Sequence, residues 1–164
     1  MQSLVSQLAT RLIFKQLKLV TVESCTGGWI GKVLTDTMGS SQWYEAGFIT
    51  YSNLAKNKIM DVPIEMIEQY GAVSTEVAVG MAKGAQNIFP DCLSIAVTGI
   101  AGPTGGSQLK PNGTVCLACC YHGKLKTRNF CFKGNREQVR IEAVEEALKL
   151  VLAMDLNKQV KIST

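Results

Sequence analysis

One histidine in 164 residues is the scarcity with the most consequence. It is His122, in a predicted hairpin turn between two strand-like runs, so it reads as a surface turn residue. That placement argues against a Ser-His-Asp triad. Charge is also sparse, at 18% of residues against 46% hydrophobic, which describes a globular chain with a large core and no disordered tract. No apolar run reaches the roughly 20 residues of a membrane-spanning helix. The start, Met1-Gln2-Ser3-Leu4, has neither a basic leader nor a cleavage pattern, so a cytoplasmic protein is expected. The formal net charge of +4 is spread along the chain, with small groupings at Lys56/Lys58 and Lys124/Lys126/Arg128. This is ordinary solvated charge, and neither nucleic acid nor membrane is an expected partner. No paired Cys-x-x-Cys knuckle accompanies the six cysteines, and a lone histidine adds no ligand set, so no metal site is expected. Cys116, Cys119, Cys120 and Cys131 lie in strand-like runs and read as buried free thiols, Cys119 and Cys120 pointing to opposite faces.

What is present is alternation of helix and strand. Leu4, Leu8, Leu12 and Val5, Ala9, Ile13 recur at a helical period, predicting a first helix that ends near Lys15. A strand over 17–23 and a helix over 29–38 follow, the helix burying Trp29, Ile30, Val33 and Leu34 and stopping at Gly39. Residues 43–51 read as a strand with Phe48, Ile49 and Tyr51 as its bulk. Short helices are expected from Leu54 to Met60 and from Pro63, then a longer one over 75–89 capped by Ser74. A strand over 93–97, a hairpin of 114–121 and 124–132 around His122-Gly123, and a last helix from about Arg136 complete the chain. The polar tail from Asn157 is expected to fray. The order predicts one α/β domain, a three-layer α/β/α arrangement with a mixed sheet.

Two stretches rich in glycine and hydroxyl residues end predicted strands: Glu23-Ser24-Cys25-Thr26-Gly27-Gly28 and Thr98 to Gly106. Ligands of open α/β sheets bind where such loops converge. Neither is a P-loop or a dinucleotide fingerprint. The first lies where a strand meets a helix, a place that holds a phosphate, activates a nucleophile or stabilises an oxyanion. A plain capped turn, with Thr26 as the N-cap, reads equally well from the same residues. If Ser24 is a nucleophile, a group other than histidine takes its proton, and Lys56 is the candidate beside the alternative of a solvated helix lysine. A Cys25 thiol at a helix start is the rival nucleophile.

Glu-Ser-Cys-Thr-Gly-Gly at 23–28 resembles the signature of the CinA C-terminal domain family. So do Gly39-Ser40-Ser41, Gly47-Phe48-Ile49-Thr50-Tyr51-Ser52-Asn53 with Ala55-Lys56, Gly71-Ala72-Val73-Ser74, Thr98-Gly99-Ile100-Ala101-Gly102-Pro103 and Lys110-Pro111-x-Gly113-Thr114, all in family order. The resemblance covers nearly the whole chain, without the large N-terminal domain of full-length CinA proteins, and implies the stand-alone amidase form. The implied reaction is hydrolysis of nicotinamide mononucleotide (NMN) to nicotinate mononucleotide and ammonia, with no cofactor. The family's nucleophile maps to Ser24, its lysine to Lys56 and a site tyrosine to Tyr51. Asn135 stands where the family usually has Asp, and Asn112 where it usually has an aliphatic residue.

In that reading Lys56 must be neutral. A free lysine titrates near ~10.4 and a useful base near ~7–8, so burial has to lower it. Cys25, Thr26, Gly27 and Gly28 are expected at the substrate, with the N–H groups of 26–28 as oxyanion donors. Thr98, Gly99 and Gly102 are expected around the ribose or nicotinamide. Arg136 and Arg140, one turn apart at the start of the last helix, are expected at the phosphate. Further copies of the chain are the expected protein partners. The alternative function is a non-catalytic nucleotide-binding or competence/damage-associated module.

Overall fold

Alternating apolar positions and glycine-punctuated loops give six helices and a five-stranded sheet in the computed structural model, which describes residues 1–157. The tail expected to fray lies beyond these, apart from Asn157 itself. Helix α1 (Gln2–Lys15) buries Val5, Leu8 and Leu12 and ends at Gln16 in the left-handed conformation. Strand β1 (Leu19–Glu23) starts two residues later than the apolar run suggests, because Leu17 N still bonds back to Leu12 O. Helix α2 (Trp29–Thr35) buries Ile30 and Leu34 and stops short of Met38, which is fully exposed. Trp29 and Val33 pack only partly. Gly39 instead precedes a 3-10 turn, Ser40–Gln42.

Strand β2 (Tyr44–Ile49) is also shorter than expected at both ends. Thr50 N bonds to Glu23 O at 2.8 Å and closes the ladder, after which the chain turns away. As an edge strand β2 leaves Ile49 and then Tyr51 more than half exposed, although both read as its apolar bulk. Helix α3 (Asn53–Met60) is capped by Ser52, whose Oγ accepts from Ala55 N. Helices α4 (Ile64–Tyr70) and α5 (Thr75–Ile88) follow, Ser74 capping α5 as its sequence indicates. Strand β3 (Leu93–Gly99) runs two residues further than predicted, because Thr98 and Gly99 pair with Cys116 and Val115. Strands β4 (Thr114–Tyr121) and β5 (Lys124–Cys131) form the hairpin, with His122 and Gly123 both at positive φ. Helix α6 (Arg136–Leu152) closes the fold, and Arg11 of α1 donates to carbonyls at its C-terminal end.

The strand order is β2-β1-β3-β4-β5, parallel through β2, β1 and β3 and antiparallel through β4 and β5. The mixed sheet of the sequence reading is therefore the one observed. One core joins α1, α2 and α6 to Leu19, Ile95, Val97, Leu117 and Tyr121. The other joins α3, α4 and α5 to Val20, Val22, Ala96, Ala118 and Cys120. Cys119 and Cys120 fall in opposite cores, as their adjacency requires. Cys131 is exposed and Cys92 half-buried, so not every thiol is internal.

Candidate active site

β1 connects to β2 across one face of the sheet, and β2 to β3 across the other. Between β1 and β3, whose continuations leave in opposite directions, the strand ends open a crevice of the kind that takes ligands in α/β sheets. Ser24 sits at that point, one residue past β1. Its N–H continues the ladder to Val97 O at 3.1 Å, which fixes the backbone below the side chain. A cavity of about 210 Å³ opens there, and Ser24, Cys25, Tyr51, Lys56, Thr98, Gly99 and Arg136 are among the residues lining it.

Lys56 reaches the cavity from the first turns of α3. Its Nζ lies 3.0 Å from Ser24 Oγ, 2.9 Å from Thr50 O and 3.2 Å from Tyr51 O. The two carbonyls are available because the chain leaves β2 at Thr50. Lys56 is 1% exposed and, among the described residues, has no ion-pair partner. Burial lowers its pKa from the ordinary lysine value, partly offset by the Cys25 thiol. A neutral amine has two N–H groups and one lone pair. The two carbonyls take the N–H groups, and the lone pair is left for the Ser24 O–H.

Cys25 is oriented differently from its neighbour. Its Sγ lies where a side chain at Gly99 would meet it at 3.0 Å, and burial pushes the thiol up to about 12. A thiol so placed stays protonated, which weighs against the rival nucleophile.

The turn after Ser24 departs from expectation in one important respect. Thr26 does not cap α2. Its hydroxyl donates to Glu23 Oε2 at 2.6 Å, and the N-cap residue is Gly28, which has no side chain to offer. The cap is Glu23. Its carboxylate accepts from Gly28 N (3.0 Å), Ile30 N (3.1 Å) and Gly31 N (2.8 Å). The helix start that looked ready for a substrate anion already holds one. Gly27 N is also engaged, with Ser24 O at 3.1 Å, and Thr26 is fully buried. Of the turn's amides, those of Cys25 and Thr26 bond to no oxygen among the described residues, and Cys25 lines the cavity. Sequence reading missed the role of Glu23. The available signal was a helix with no acidic residue in its first turn and a glycine as its N-cap.

The two arginines also separate. Arg136 Nη1 donates to Gly102 O at 2.9 Å and Nη2 to Tyr51 Oη at 3.3 Å, so Arg136 and Tyr51 meet at the cavity mouth. Asn135 caps α6 in a full capping box, and Arg136 reaches the cavity from the first residue of that helix. Asn112 donates to Pro103 O at 2.7 Å and braces the loop that carries Gly102. Arg140 lies elsewhere than expected: Nε donates to Cys25 O at 3.1 Å and Nη2 to Thr26 O at 2.7 Å, and the guanidinium stacks on Trp29. Thr98 lines the cavity but spends its hydroxyl on Ala72 O. His122 lies at the far end of β4 from Ser24, about 20 Å along the sheet.

The family model of the CinA C-terminal domain matches residues 1–154. Escherichia coli nicotinamide-nucleotide amidohydrolase PncC is 45% identical over 150 residues, covering 91% of each chain. A CinA-like protein of Leptospira biflexa is 44% identical over 142 residues, 86% of this chain but 34% of its own, so this chain spans about a third of such longer relatives. Among solved structures, a CinA superfamily protein from E. coli matches with a TM-score of 0.88 at 42% identity over 92% of this chain and 88% of that one. A competence/damage-inducible protein from Agrobacterium tumefaciens matches at 0.90 and 38% identity over 93% of each. On this evidence, the chain belongs to the CinA C-terminal domain family.

Proposed function

We propose that the protein hydrolyses the carboxamide of NMN to nicotinate mononucleotide and ammonia. The observation that carries this reading is the buried Lys56 amine, without a counter-ion among the described residues, 3.0 Å from Ser24 Oγ. The E. coli relative named for that activity supplies the substrate class.

Ser24 Oγ attacks the amide carbon as Lys56 Nζ takes the hydroxyl proton. The oxyanion faces the Cys25 N–H. Lys56, now protonated, gives its proton to the departing nitrogen, and ammonia leaves an acyl-Ser24 ester. A water, deprotonated by Lys56, attacks the ester and releases the nicotinate carboxylate, and the proton returns to Ser24. Thr50 O and Tyr51 O hold the ammonium form between the steps, so it does not drift from Ser24. Arg136 pairs with the 5′-phosphate, using donors beyond those given to Gly102 O and Tyr51 Oη, and the Tyr51 phenol steadies it.

The test is ammonia release from NMN by wild type, Ser24→Ala and Cys25→Ala. Ser24→Ala should lose at least about 10³-fold in kcat, whereas Cys25→Ala, a packing change, should lose far less. Activity surviving in Ser24→Ala and lost in Cys25→Ala reverses the assignment. Nucleotide binding with no ammonia from wild type favours the non-catalytic module.

A further inference from the structure

The nucleophile turn has three peptide carbonyls outside the sheet ladder: those of Ser24, Cys25 and Thr26. The first is closed locally by Gly27 N. The other two accept from a single side chain on a helix more than a hundred residues away, Arg140 of α6, with Thr26 O also taking a longer bond from Trp29 N. Glu23 holds Gly28 N and the first amides of α2 from one side while Arg140 holds two carbonyls of the turn from the other. The guanidinium is held in turn by the Trp29 ring, 5.0 Å from its centroid, and so has a fixed orientation. Arg140 is not among the residues lining the catalytic cavity.

From this arrangement, we infer that Arg140 is a positioning residue for catalysis, and that the phosphate of the substrate is held without it. This rests on the reading of Ser24 as the nucleophile. The geometry requires a two-point donor. Nε and Nη2 of one planar group meet two successive carbonyls, a contact a lysine cannot reproduce. With those carbonyls fixed, rotation of the peptides on either side of Thr26 is blocked. Cys25 is then anchored on its C-terminal side while Ser24 N is anchored to Val97 O on the other, and Ser24 Oγ stays 3.0 Å from Lys56. Without the clamp, nothing else among the described residues holds the carbonyl of Cys25, and that of Thr26 keeps only the N–H of Trp29 at 3.3 Å. The turn is then free to adopt geometries in which nucleophile and base part by an ångström or so, a misplacement that costs about 100-fold in rate.

The experiment compares wild type, Arg136→Ala, Arg140→Ala and Arg140→Lys. Each is assayed for ammonia release from NMN and from nicotinamide riboside, which lacks the phosphate. Each is also titrated with pyridine-3-boronic acid, which forms a tetrahedral adduct with an activated serine. Arg136→Ala should lose activity on NMN and little on the riboside. Arg140→Ala should lose about 100-fold in kcat on both compounds, with KM changed by no more than about threefold, and should bind the boronic acid correspondingly less well. Arg140→Lys, folded and still cationic, should recover less than about a tenth of the lost activity, and it decides the matter if the alanine variant does not fold. A loss confined to NMN, a loss carried by KM, or full rescue by lysine would make Arg140 a phosphate ligand and overturn the inference. If wild type releases ammonia from neither compound, the NMN reading fails, and the boronic acid series alone decides. Equal affinity across that series, including no adduct in any protein, overturns the clamp.

Discussion

Lys56 concentrates the chemistry at the scale of single residues, and its protonation carries a sign that can be measured. Burial depresses its pKa, so the neutral, competent form gains as pH rises. The value of kcat/KM should climb through that depressed pKa and level off below the ~10.5 of an ordinary lysine. Lys56→Arg should be inactive across the range, since a guanidinium does not give up its proton. A flat profile or an active arginine variant sinks the base assignment. The same burial has a stability signature. Below the folded-state pKa the charged amine is buried with no carboxylate partner among the described residues, and the penalty is fully present. Between that pKa and the unfolded value the unfolded chain binds more protons, so stability rises with pH. Denaturant midpoints of wild type and Lys56→Met should therefore converge or cross in favour of wild type as pH is raised. Ser24 and Lys56 were both legible in the sequence, one from its strand-to-helix junction and one from the family's motif. That they meet was not, because the contact spans 32 positions and depends on where β2 ends.

Elements were easier to identify than to delimit. Periodicity, caps and turn residues located the six helices and five strands of the described residues, yet β1, α2 and β2 came out longer in the sequence reading than they are. The ends of β1 and β2 are held by partners distant in sequence: Leu19 N on Trp43 O, and Thr50 N on Glu23 O. The start of α2 shows the same limit, for its cap sits on the preceding strand rather than in the helix. Glu23→Ala should strand three backbone N–H groups and the Thr26 hydroxyl, at a cost of about 3 kcal/mol or more. Asn135→Ala removes an ordinary exposed cap at α6 and should cost about 1 kcal/mol. Urea unfolding of the two variants tests the ranking; near-equal midpoints would mean that solvent replaces the Glu23 carboxylate.

Across the whole molecule, the sheet separates two cores of different grain. Towards α1 and α6 it presents Leu19, Ile95, Leu117 and Tyr121. Towards α5 it presents Ala96, Cys116, Ala118 and Cys120, met by Ala78, Ala82 and Ala85. The fine-grained side brings α5 close to the strands that carry Thr98 and the cavity floor. On its other side α5 comes equally close to α3, where a methyl group at Gly84 would fall 2.1 Å from Met60 O. Gly84→Ala should thus cost about 1–3 kcal/mol even though alanine is the better helix former. The two faces have opposite tolerances in a saturation library. The α5 face should accept shrinkage and reject growth, Ala82→Val being more harmful than Cys120→Ala. The α1/α6 face should reject shrinkage, Leu117→Ala costing about 2–5 kcal/mol. Sorted by protease resistance, the library would divide the permitted alphabet by side of the sheet, small letters on one and large on the other.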